Sequence, residues 1–404
     1  ERAYPERILE SDVKKILAAK PDLLITGAWY EFNLPYVLEL AGRLKKESEI
    51  PIIVGGPVAS SMGARIIHGF PQIDICVTGE IEHSLRQVIE TIKKGTGFET
   101  VEGLVFRKDG ETISTKPQKI PFPVSEANIP DFSAIMDIKN YSMIPIQTSR
   151  GCANNCGFCT SEKQFPGLRQ KPVEKVIEEI MYQKAKYRKQ VFQITDNNFT
   201  SNNRYVEEFC RLLKKEGVDI QWNCFSRTDT ASKQLIDQMG AAGCREVFYG
   251  LESANHQTLR LTNKSRFPSD YLQHAKKIVA HTNQVTTSKV AAIIGFPWET
   301  KKDMLNTIGF MDSLQSAENH LSKLVILPGS AFWNNYQRKR IKLFKMNNLT
   351  WLRQQLFSEN YTDTPWIVPG AYLPKNNHLD ADELEHFIIS KVMTVNEKEK
   401  YLKA

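Results

Sequence analysis

The sequence predicts an α/β protein built from two successive parallel-sheet units. In residues 1–120, short apolar runs alternate with amphipathic helical segments, and the same alternation starts again near residue 144. A Pro-rich stretch, "KIPFPVSEANIPDF" (119–132), separates the two series. Parallel strands need a crossover, usually a helix, to connect them. Alternation of this kind therefore indicates parallel sheets covered by helices.

The first unit, residues 1–120, contains apolar runs that end in small residues. The predicted strands are "PDLLITGAW" (21–29), "PIIVGG" (51–56) and "IDICVTGE" (73–80). An Asp-Gly turn within residues 102–116 predicts a hairpin after them. Ligands of such sheets bind beyond the carboxyl ends of the strands, where glycine permits close approach. The pattern predicts a Rossmann-like domain whose binding edge carries Thr26, Gly27, Gly55, Gly56, Thr78 and Gly79.

The second unit, residues 144–332, contains six predicted strands separated by helical segments. These strands are 144–149, 191–196, 220–227, 246–253, 289–296 and 322–328. Six such repeats predict a partial (β/α)6 barrel with functional residues at the strand ends and in the loops that follow. Residues 121–143 are then a linker. Residues 333–404, which are aromatic and basic, form a small C-terminal region that we expect on the substrate side.

Composition and charge argue against a nucleic-acid-binding, a membrane-spanning and an exported protein. The net charge of +7 comes from 53 Lys and Arg against 46 Asp and Glu spread along the chain, so we expect no nucleic-acid partner. No apolar run reaches 18 residues and no signal peptide is visible, so we expect a cytoplasmic protein without a membrane span. In that compartment the seven cysteines are predicted to be free thiols or metal ligands.

Three of the cysteines lie close together in "TSRGCANNCGFCTSEKQ" (148–164). Cys152, Cys156 and Cys159 have the spacing C-x3-C-x2-C, and Phe158 precedes the last of them. A structural zinc site needs four ligands, and no fourth Cys or His lies nearby. Clusters that only transfer electrons normally have four cysteines too. Three thiolates leave one iron of a [4Fe-4S] cluster open, which predicts a cluster that binds and cleaves a substrate.

This motif, placed after the first strand of a predicted barrel, resembles the radical S-adenosylmethionine (SAM) superfamily. The resemblance implies that the three cysteines hold the cluster and that the amino and carboxylate groups of SAM chelate the open iron. Reductive cleavage would then give methionine and a 5′-deoxyadenosyl radical. The resemblance covers residues 144–330 through the motifs "QITDNNFT" (193–200), "WNCFSRTD" (222–229), "AAGCREVFYGLES" (241–253), "IIGFPWET" (293–300) and "LPGS" (327–330).

The matched motifs imply a set of SAM contacts. Ser226 and Arg227 would approach the SAM carboxylate, a task that suits the planar fork of arginine. Glu252 would accept hydrogen bonds from the ribose hydroxyls or the amino group. Cys224 and Cys244, in contrast, are interpreted as buried thiols. The other implied cofactor contacts are Phe158, Asp196, Asn198 and Ser253, with Asn197 in place of the second acid of the family's usual Asp-Asp-Asn-Phe.

A Rossmann-like unit, a hairpin, "IPDF" and then the cysteine motif resemble the cobalamin-binding subfamily of radical SAM enzymes. The resemblance implies that cobalamin lies against Thr26-Gly27-Ala28, Gly55-Gly56-Pro57 and Thr78-Gly79-Glu80. No Asp-x-His-x-x-Gly is present, so no histidine is expected below the cobalt. The first two strands of that fold are not visible before residue 20. Because the sequence begins with Glu, we expect a truncated N-terminus, and the alternative is a reduced domain that no longer binds the vitamin.

We therefore expect a cobalamin-dependent radical SAM methyltransferase that acts on an unactivated carbon or on phosphorus. The alternative is a radical SAM enzyme with a non-methylating cobalamin-type domain that epimerises or crosslinks a peptide or rearranges a ring. Epimerisation would need a thiol hydrogen donor, for which Cys224 and Cys244 are the barrel candidates. A non-enzymatic iron–sulfur protein is disfavoured by the three-thiolate set. The expected partners are a small-molecule or peptide substrate and a reductant such as flavodoxin or ferredoxin.

Overall fold

The computed structural model describes residues 6–28, 33–135 and 138–337. These residues belong to two compact units. Within the described residues, the first unit contains the chain up to Phe122, Phe158–Phe165 and the segment from Val325, and the second contains Pro123–Gly157 and Pro166–Leu324. The predicted linker therefore groups with the second unit, and the last part of the predicted barrel region groups with the first. The predicted C-terminal region lies outside the described residues from residue 338 onward.

The first unit contains a five-stranded sheet in the order β1-β2-β3-β4-β5. Its strands are β1 (Leu24–Gly27), β2 (Ile52–Gly55), β3 (Ile75–Val77), β4 (Leu104–Lys108) and β5 (Glu111–Ser114). The strands β1 to β3 are parallel, and β4 runs antiparallel to β3. The helices beside it are α1 (Glu6–Ala19), α2 (Leu34–Glu47), α3 (Pro57–Gly69) and α4 (Ile81–Lys94). The predicted strand–helix alternation is confirmed.

Burial and turn chemistry explain these strands. β2 lies between β1 and β3, and its Ile52, Ile53 and Val54 are fully buried, as the unbroken apolar run predicts for a strand covered on both faces. The predicted hairpin is β4–β5. Asp109 and Gly110 both have positive φ, 50° and 82°, which is the conformation that a two-residue type I′ turn requires.

The second unit is built on a six-stranded parallel sheet in the order β13-β12-β11-β10-β9-β6. The strands of this unit are β6 (Ile144–Ile146), β7 (Ser149–Arg150), β8 (Arg169–Gln170), β9 (Val191–Ile194), β10 (Gln221–Ser226), β11 (Cys244–Glu252), β12 (Thr287–Ile294) and β13 (Glu318–Lys323). Neighbours in the large sheet are consecutive in the chain, as predicted for a partial (β/α)6 barrel. The strands β7 and β8 form a separate antiparallel pair.

Helices connect successive strands of the large sheet. In chain order the remaining helices are α5 (Ser161–Gln164), α6 (Val173–Tyr187), α7 (Asn203–Lys215), α8 (Lys233–Ala241), α9 (His256–Leu261), α10 (Pro268–Val285), α11 (Lys301–Ser313) and α12 (Ala331–Gln337). Trp222, Tyr249, Phe192 and Phe209 are fully buried in one hydrophobic cluster of the second unit. Within the described ranges, no helix has the length and apolar character that crossing a membrane would need.

The last strand differs from its prediction. The sequence predicts a strand at 322–328, whereas β13 is Glu318–Lys323. β13 lies at the edge of the sheet and is largely polar, because an edge strand has one neighbour and need not be apolar on both faces. The apolar residues Leu324 and Ile326, each 1% exposed, follow the strand instead of forming it.

Gly243 explains the Ala-Gly-Cys motif at the start of β11. Its φ is +91°, and a Cβ atom there would lie 2.2 Å from the carbonyl oxygen of Ile220. We expect Gly243→Ala to lower the free energy of unfolding by about 2–3 kcal/mol in chemical denaturation. The matched control is Gly217→Ala, where φ is +62° but nothing lies within 4 Å, so only about 1 kcal/mol should be lost. Equal losses would contradict a steric role for Gly243.

Candidate functional site

The cysteine loop, residues 151–168, begins at β7 and ends at β8. In this antiparallel pair Ser149 faces Gln170 and Arg150 faces Arg169, so the two ends of the loop are held side by side. The amide of Lys171 donates to the carbonyl of Thr148 at 2.8 Å and extends the pairing. The sequence gives no signal for this pair, because strands of two residues have no periodicity.

Asp196, just beyond β9, anchors the base of this loop. Its carboxylate is 3% exposed and accepts the backbone N–H groups of Thr148 at 2.8 Å and Ser149 at 3.1 Å, together with both hydroxyls. Burial raises the pKa of Asp196, while these four hydrogen bonds act in the opposite direction. Sequence analysis places Asp196 among the cofactor contacts; in the structure both of its oxygens hold the loop.

The middle of the loop is held by the segment that follows α9, beyond the end of β11. The amide of Gly157 donates to the carbonyl of Thr262 at 2.7 Å, and the Asn263 side chain donates to the carbonyl of Asn155 at 2.8 Å. The loop backbone is therefore fixed at its base and at its middle, while the cysteine side chains are left partly accessible.

Each cysteine of the motif has an N–H donor near its sulfur atom. Cys152 Sγ accepts from Asn154 Nδ2 at 3.6 Å. Cys156 Sγ accepts from Arg227 Nη1 at 3.4 Å. Cys159 Sγ accepts from the backbone N–H of Ser161 at 3.4 Å. Such donors stabilise thiolates and tune cluster ligands, so these residues fit an iron–sulfur cluster in type and surroundings.

Among the residues that the structure describes, no three His, Cys, Asp or Glu side chains are arranged to hold a metal ion. A cluster held by Cys152, Cys156 and Cys159 therefore stays a prediction that rests on spacing and on N–H donors. Phe158, the aromatic residue before the third cysteine, is half-buried.

The other cysteines lie in a contrasting environment. Cys76, Cys210, Cys224 and Cys244 are at most 2% exposed and belong to the hydrophobic core. Burial raises the pKa of the Cys210 thiol to about 12 and that of Cys76 and Cys224 well above the ordinary range. These four thiols are buried, as the sequence predicts for Cys224 and Cys244.

Arg227, a buried side chain directly after β10, forms an ion pair with Asp229, whose side chain is 32% exposed. Its Nε and Nη2 atoms donate to the two oxygens of Asp229 at 2.8 and 2.7 Å, and Nη2 also donates to the carbonyl of Lys264 at 2.6 Å. Arg227 is 6% exposed. Burial lowers the pKa of Arg227, but the paired carboxylate more than offsets this, so the pKa stays above its usual range and the guanidinium is charged beside Cys156.

Glu252 ends β11 in an uncommon backbone conformation. Its φ is +71°, and the β11–β12 register shifts between Gly250 and Glu252. Its Oε1 atom lies 3.3 Å from Nζ of Lys264, which is 5% exposed. A Cβ atom at Gly250 would lie 2.4 Å from Glu252 Oε1. The glycine of the Gly-Leu-Glu-Ser motif therefore leaves room for the carboxylate. Sequence reasoning missed Lys264, since a lone lysine in a polar segment resembles any surface lysine.

Two other predicted contacts, Asn198 and Ser226, have their oxygen atoms engaged within the protein. Asn198 Oδ1 accepts the backbone N–H of Arg227 at 3.2 Å and the hydroxyl of Thr230 at 3.2 Å. The Ser226 hydroxyl lies 2.6 Å from that of Thr200. Both residues are 4% exposed. In the structure they position the start of the loop after β10.

Ser253 and the loop after β12 meet at a fully buried carboxylate that the sequence analysis missed. Glu299 Oε2 accepts the backbone N–H groups of Gly295 at 3.0 Å and Phe296 at 3.2 Å. Its Oε1 accepts the hydroxyls of Thr258 at 3.0 Å and Ser253 at 3.5 Å. Burial raises the pKa of Glu299 to about 7, while these hydrogen bonds oppose the shift. The Glu of "IIGFPWET" thus ties the ends of β11 and β12 together.

The predicted cofactor edge of the first unit is assembled at the ends of β1, β2 and β3. The amide of Ala28 donates to Gly55 O at 2.8 Å, and the amide of Gly79 donates to Ser60 Oγ at 3.0 Å. A Cβ atom at Gly56, where φ is +98°, would lie 2.8 Å from Ala28 O, whereas one at Gly55 would meet only a side-chain atom at 3.7 Å. Gly56 thus allows the loop after β2 to approach the loop after β1, whereas Gly55 has room for a side chain.

Gln118 fixes the third loop of this edge. It accepts the backbone N–H of Glu80 at 2.9 Å and donates to the carbonyl of Glu80 at 2.8 Å. A Cβ atom at Gly79 would lie 2.5 Å from Gln118 Oε1, and Glu80 is 4% exposed. Glu80 is therefore buried beneath the edge, where its backbone is held by Gln118. The accessible part consists of small groups, with Thr26, Gly27 and Thr78 half-buried.

Glu299 should make stability depend on pH. The carboxyl ionises near 4.5 in the unfolded chain and near 7 in the folded protein, so the folded state holds an extra proton between these values. The free energy of unfolding should fall as pH rises from 4.5 to 7, by up to about 3 kcal/mol relative to Glu299→Gln. Urea unfolding of both proteins at pH 5, 6 and 7 checks this. A constant difference between them would contradict the raised pKa.

Residues 146–311 match the family model of the Radical SAM superfamily. An uncharacterized methyltransferase of Pyrococcus horikoshii is 29% identical over 341 residues, which cover 81% of this chain and 72% of that protein. The anaerobic magnesium-protoporphyrin IX monomethyl ester cyclase of Synechocystis is 26% identical over 62% of this chain. The chain spans 52%, about half, of the length of that cyclase.

Two solved structures share the fold over most of the chain. The radical SAM methyltransferase TsrM from Kitasatospora setae, with cobalamin and a [4Fe-4S] cluster bound, has a TM-score of 0.68 over 80% of this chain and 68% of its own, at 18% identity. The cobalamin-dependent SAM radical enzyme OxsB, with aqua-cobalamin and SAM bound, has a TM-score of 0.72 over 98% of this chain and 64% of its own, at 16% identity. Residues 146–311 thus match the Radical SAM superfamily, and the fold of the chain is similar to that of these two solved structures.

Proposed function

We propose that this protein is a cobalamin-dependent radical SAM methyltransferase that acts on an unactivated carbon or on phosphorus. The observation that carries the proposal is the set of three spaced thiols, each with its own N–H donor. They lie on a loop that is held by Asp196 after β9 and by the segment after α9, and this segment also carries Lys264, the partner of Glu252. The names of the Pyrococcus relative and of TsrM, both methyltransferases, support the outcome of the reaction.

The chain's own residues would hold and shield the reacting groups. When bound, the cluster supplies the electron that cleaves SAM, and cobalamin carries the methyl group. Arg227 keeps a positive charge beside Cys156, which favours the thiolate needed for ligation. The strand ends around Arg227, Glu252 and Lys264 are largely buried, so they can orient SAM and exclude water. The substrate would be a small molecule or peptide, and flavodoxin or ferredoxin would supply electrons.

The cobalamin assignment relies on the edge of the first unit. Thr26, Gly27, Gly55 and Thr78 would lie against the corrin, because the edge presents backbone and small side chains that let a flat ring approach. Hydrogen bonds between the loops keep this edge in place.

The cluster prediction is tested with cysteine variants. Cys152→Ala, Cys156→Ala and Cys159→Ala should each lose the iron–sulfur absorption after anaerobic reconstitution and form no 5′-deoxyadenosine with SAM and dithionite, since each thiolate holds one iron. The matched control is Cys210→Ala, which removes a buried core thiol and should retain both signals. A triple variant that still made 5′-deoxyadenosine would refute the radical SAM chemistry.

The cobalamin prediction is tested by cobalt content. Protein purified with excess cobalamin should contain cobalt at about one equivalent and show a corrin absorption band. Gly55→Phe should remove the cobalt but still allow SAM cleavage, because a Cβ atom fits there and the larger ring would occupy the ligand edge. The control is Gly309→Phe, an exposed helical position with nothing within 4 Å. Wild-type protein without bound cobalt would exclude the methyltransferase proposal and leave the non-methylating alternative.

A further inference from the structure

The 260–267 segment, which follows α9, exposes two large apolar side chains to solvent. Leu261 is 51% exposed and Phe267 is 71% exposed. An exposed arginine directly precedes each of them, Arg260 and Arg266, and neither arginine forms an ion pair within the described residues. A single exposed apolar side chain needs no explanation. Two of them beside unpaired arginines have the composition of the centre of a protein interface, where aromatic residues and arginine are enriched.

This segment is an ordered turn. The amide of Asn263 donates to the carbonyl of Arg260 at 3.0 Å, and the amide of Lys264 donates to the carbonyl of Leu259 at 2.9 Å. Asn263 has a φ of +55°. Two such bonds around one left-handed residue form a Schellman motif, which ends a helix in a fixed conformation. A surface that is already ordered loses little entropy when a partner binds to it.

The 260–267 segment contacts the cysteine loop directly beside Cys156. The carbonyl of Thr262 accepts the amide of Gly157 at 2.7 Å. Leu261 is therefore one residue and one hydrogen bond away from the backbone that follows a predicted cluster ligand. Electron transfer between proteins becomes much slower as the distance grows, so a donor bound at Leu261 would be well placed to reduce a cluster on this loop.

A surface depression beside Phe267 leads to the same cysteine. It has a volume of about 490 Å³, and its lining includes Phe267, Asp229 and Lys277. Asp229 is the ion-pair partner of Arg227, and Arg227 Nη1 donates to Cys156 Sγ at 3.4 Å. The surface around Phe267 is thus connected to Cys156 by side-chain contacts, in addition to the backbone hydrogen bond at Thr262.

The charge of this surface favours an acidic partner. Between residues 256 and 270 the exposed side chains with a full charge are Arg260, Arg266 and Asp270, and Lys277 follows on the side of α10 that lines the depression. Opposite charges on two proteins guide their encounter and fix their relative orientation. Phe267 offers a flat apolar contact that suits the exposed ring edge of a flavin.

We propose that the 260–267 segment is the docking surface for an acidic, flavodoxin-type electron donor. Leu261 and Phe267 form the apolar centre of the interface, and Arg260 and Arg266 form its charged rim. The inference rests on the proposed function, which needs one electron for each SAM that is cleaved. In this step the reduced flavin of the donor is oxidised by one electron and the [4Fe-4S] cluster is reduced by one, and no bond forms between the two proteins.

The first test measures the binding of purified flavodoxin by isothermal titration calorimetry at low ionic strength, with both proteins oxidised. Leu261→Ser/Phe267→Ser and Arg260→Glu/Arg266→Glu should each weaken the affinity by about tenfold to a hundredfold, because they remove the apolar centre or reverse the charge of the rim. Raising the ionic strength should weaken binding of the wild type. The matched control is Arg245→Glu, at an exposed position at the start of β11, which should leave the affinity unchanged.

The second test compares the rate of 5′-deoxyadenosine formation with reduced flavodoxin and with dithionite. Both double variants should lose rate with flavodoxin, at concentrations below its dissociation constant, by the same factor as they lose affinity. With dithionite, a small ion that needs no docking surface, they should react as the wild type does. The matched apolar control is Met181→Ser, a position on α6 that is 48% exposed, which should retain the wild-type rate with both reductants.

The outcomes separate the docking surface from the proposed function. Unchanged flavodoxin affinity in both double variants would overturn the docking surface, and so would an equal loss of rate with the two reductants. A wild-type protein that binds an acidic ferredoxin and not flavodoxin would overturn the choice of a flavin donor. If the wild type forms no 5′-deoxyadenosine with dithionite, the proposed function fails, while the binding measurement still decides whether this surface holds flavodoxin.

Discussion

The buried carboxylate of Asp196 holds the backbone at the base of the cysteine loop, and the position of the whole loop depends on it. A loop of this length, outside any regular strand pairing, would otherwise be mobile. Asp196 takes four donors from Thr148 and Ser149 at the point where the chain leaves β6. Because these donors surround the carboxylate, it can be buried at the end of β9 without a cationic partner. The loop therefore starts from a fixed point on the sheet.

Glycine has different functions at different strand ends. At Gly243 and Gly56 a Cβ atom would strike backbone carbonyl oxygens, at 2.2 and 2.8 Å, so these residues serve the fold. At Gly250 the nearest atom belongs to the Glu252 carboxylate, at the end of a flexible side chain. Glycine thus avoids a backbone clash at two positions and makes room for a side chain at the third. Only the contacts of the folded chain distinguish them.

Much of this organisation could be predicted from the sequence. Apolar runs located the parallel strands of both units except β13, the Asp109-Gly110 pair located the hairpin, and the cysteine spacing located the loop. The missed features depend on contacts between distant residues. The hydrogen bonds of Asp196 to Thr148 and Ser149 and the burial of Lys264 have no signature in the sequence. Strands as short as β7 and β8 carry no periodic signal.

The two ion pairs beside the cysteine loop differ in geometry and in burial. The Arg227–Asp229 pair is bidentate and is completed by the carbonyl of Lys264, while the Asp229 side chain is 32% exposed. The Glu252–Lys264 pair is more deeply buried, but it has a single contact of 3.3 Å and a positive φ at Glu252. Apolar residues of similar size often stabilise a protein as well as a buried ion pair does. Because a buried pair with one contact recovers little of its desolvation cost, stability alone does not account for the Glu252–Lys264 pair.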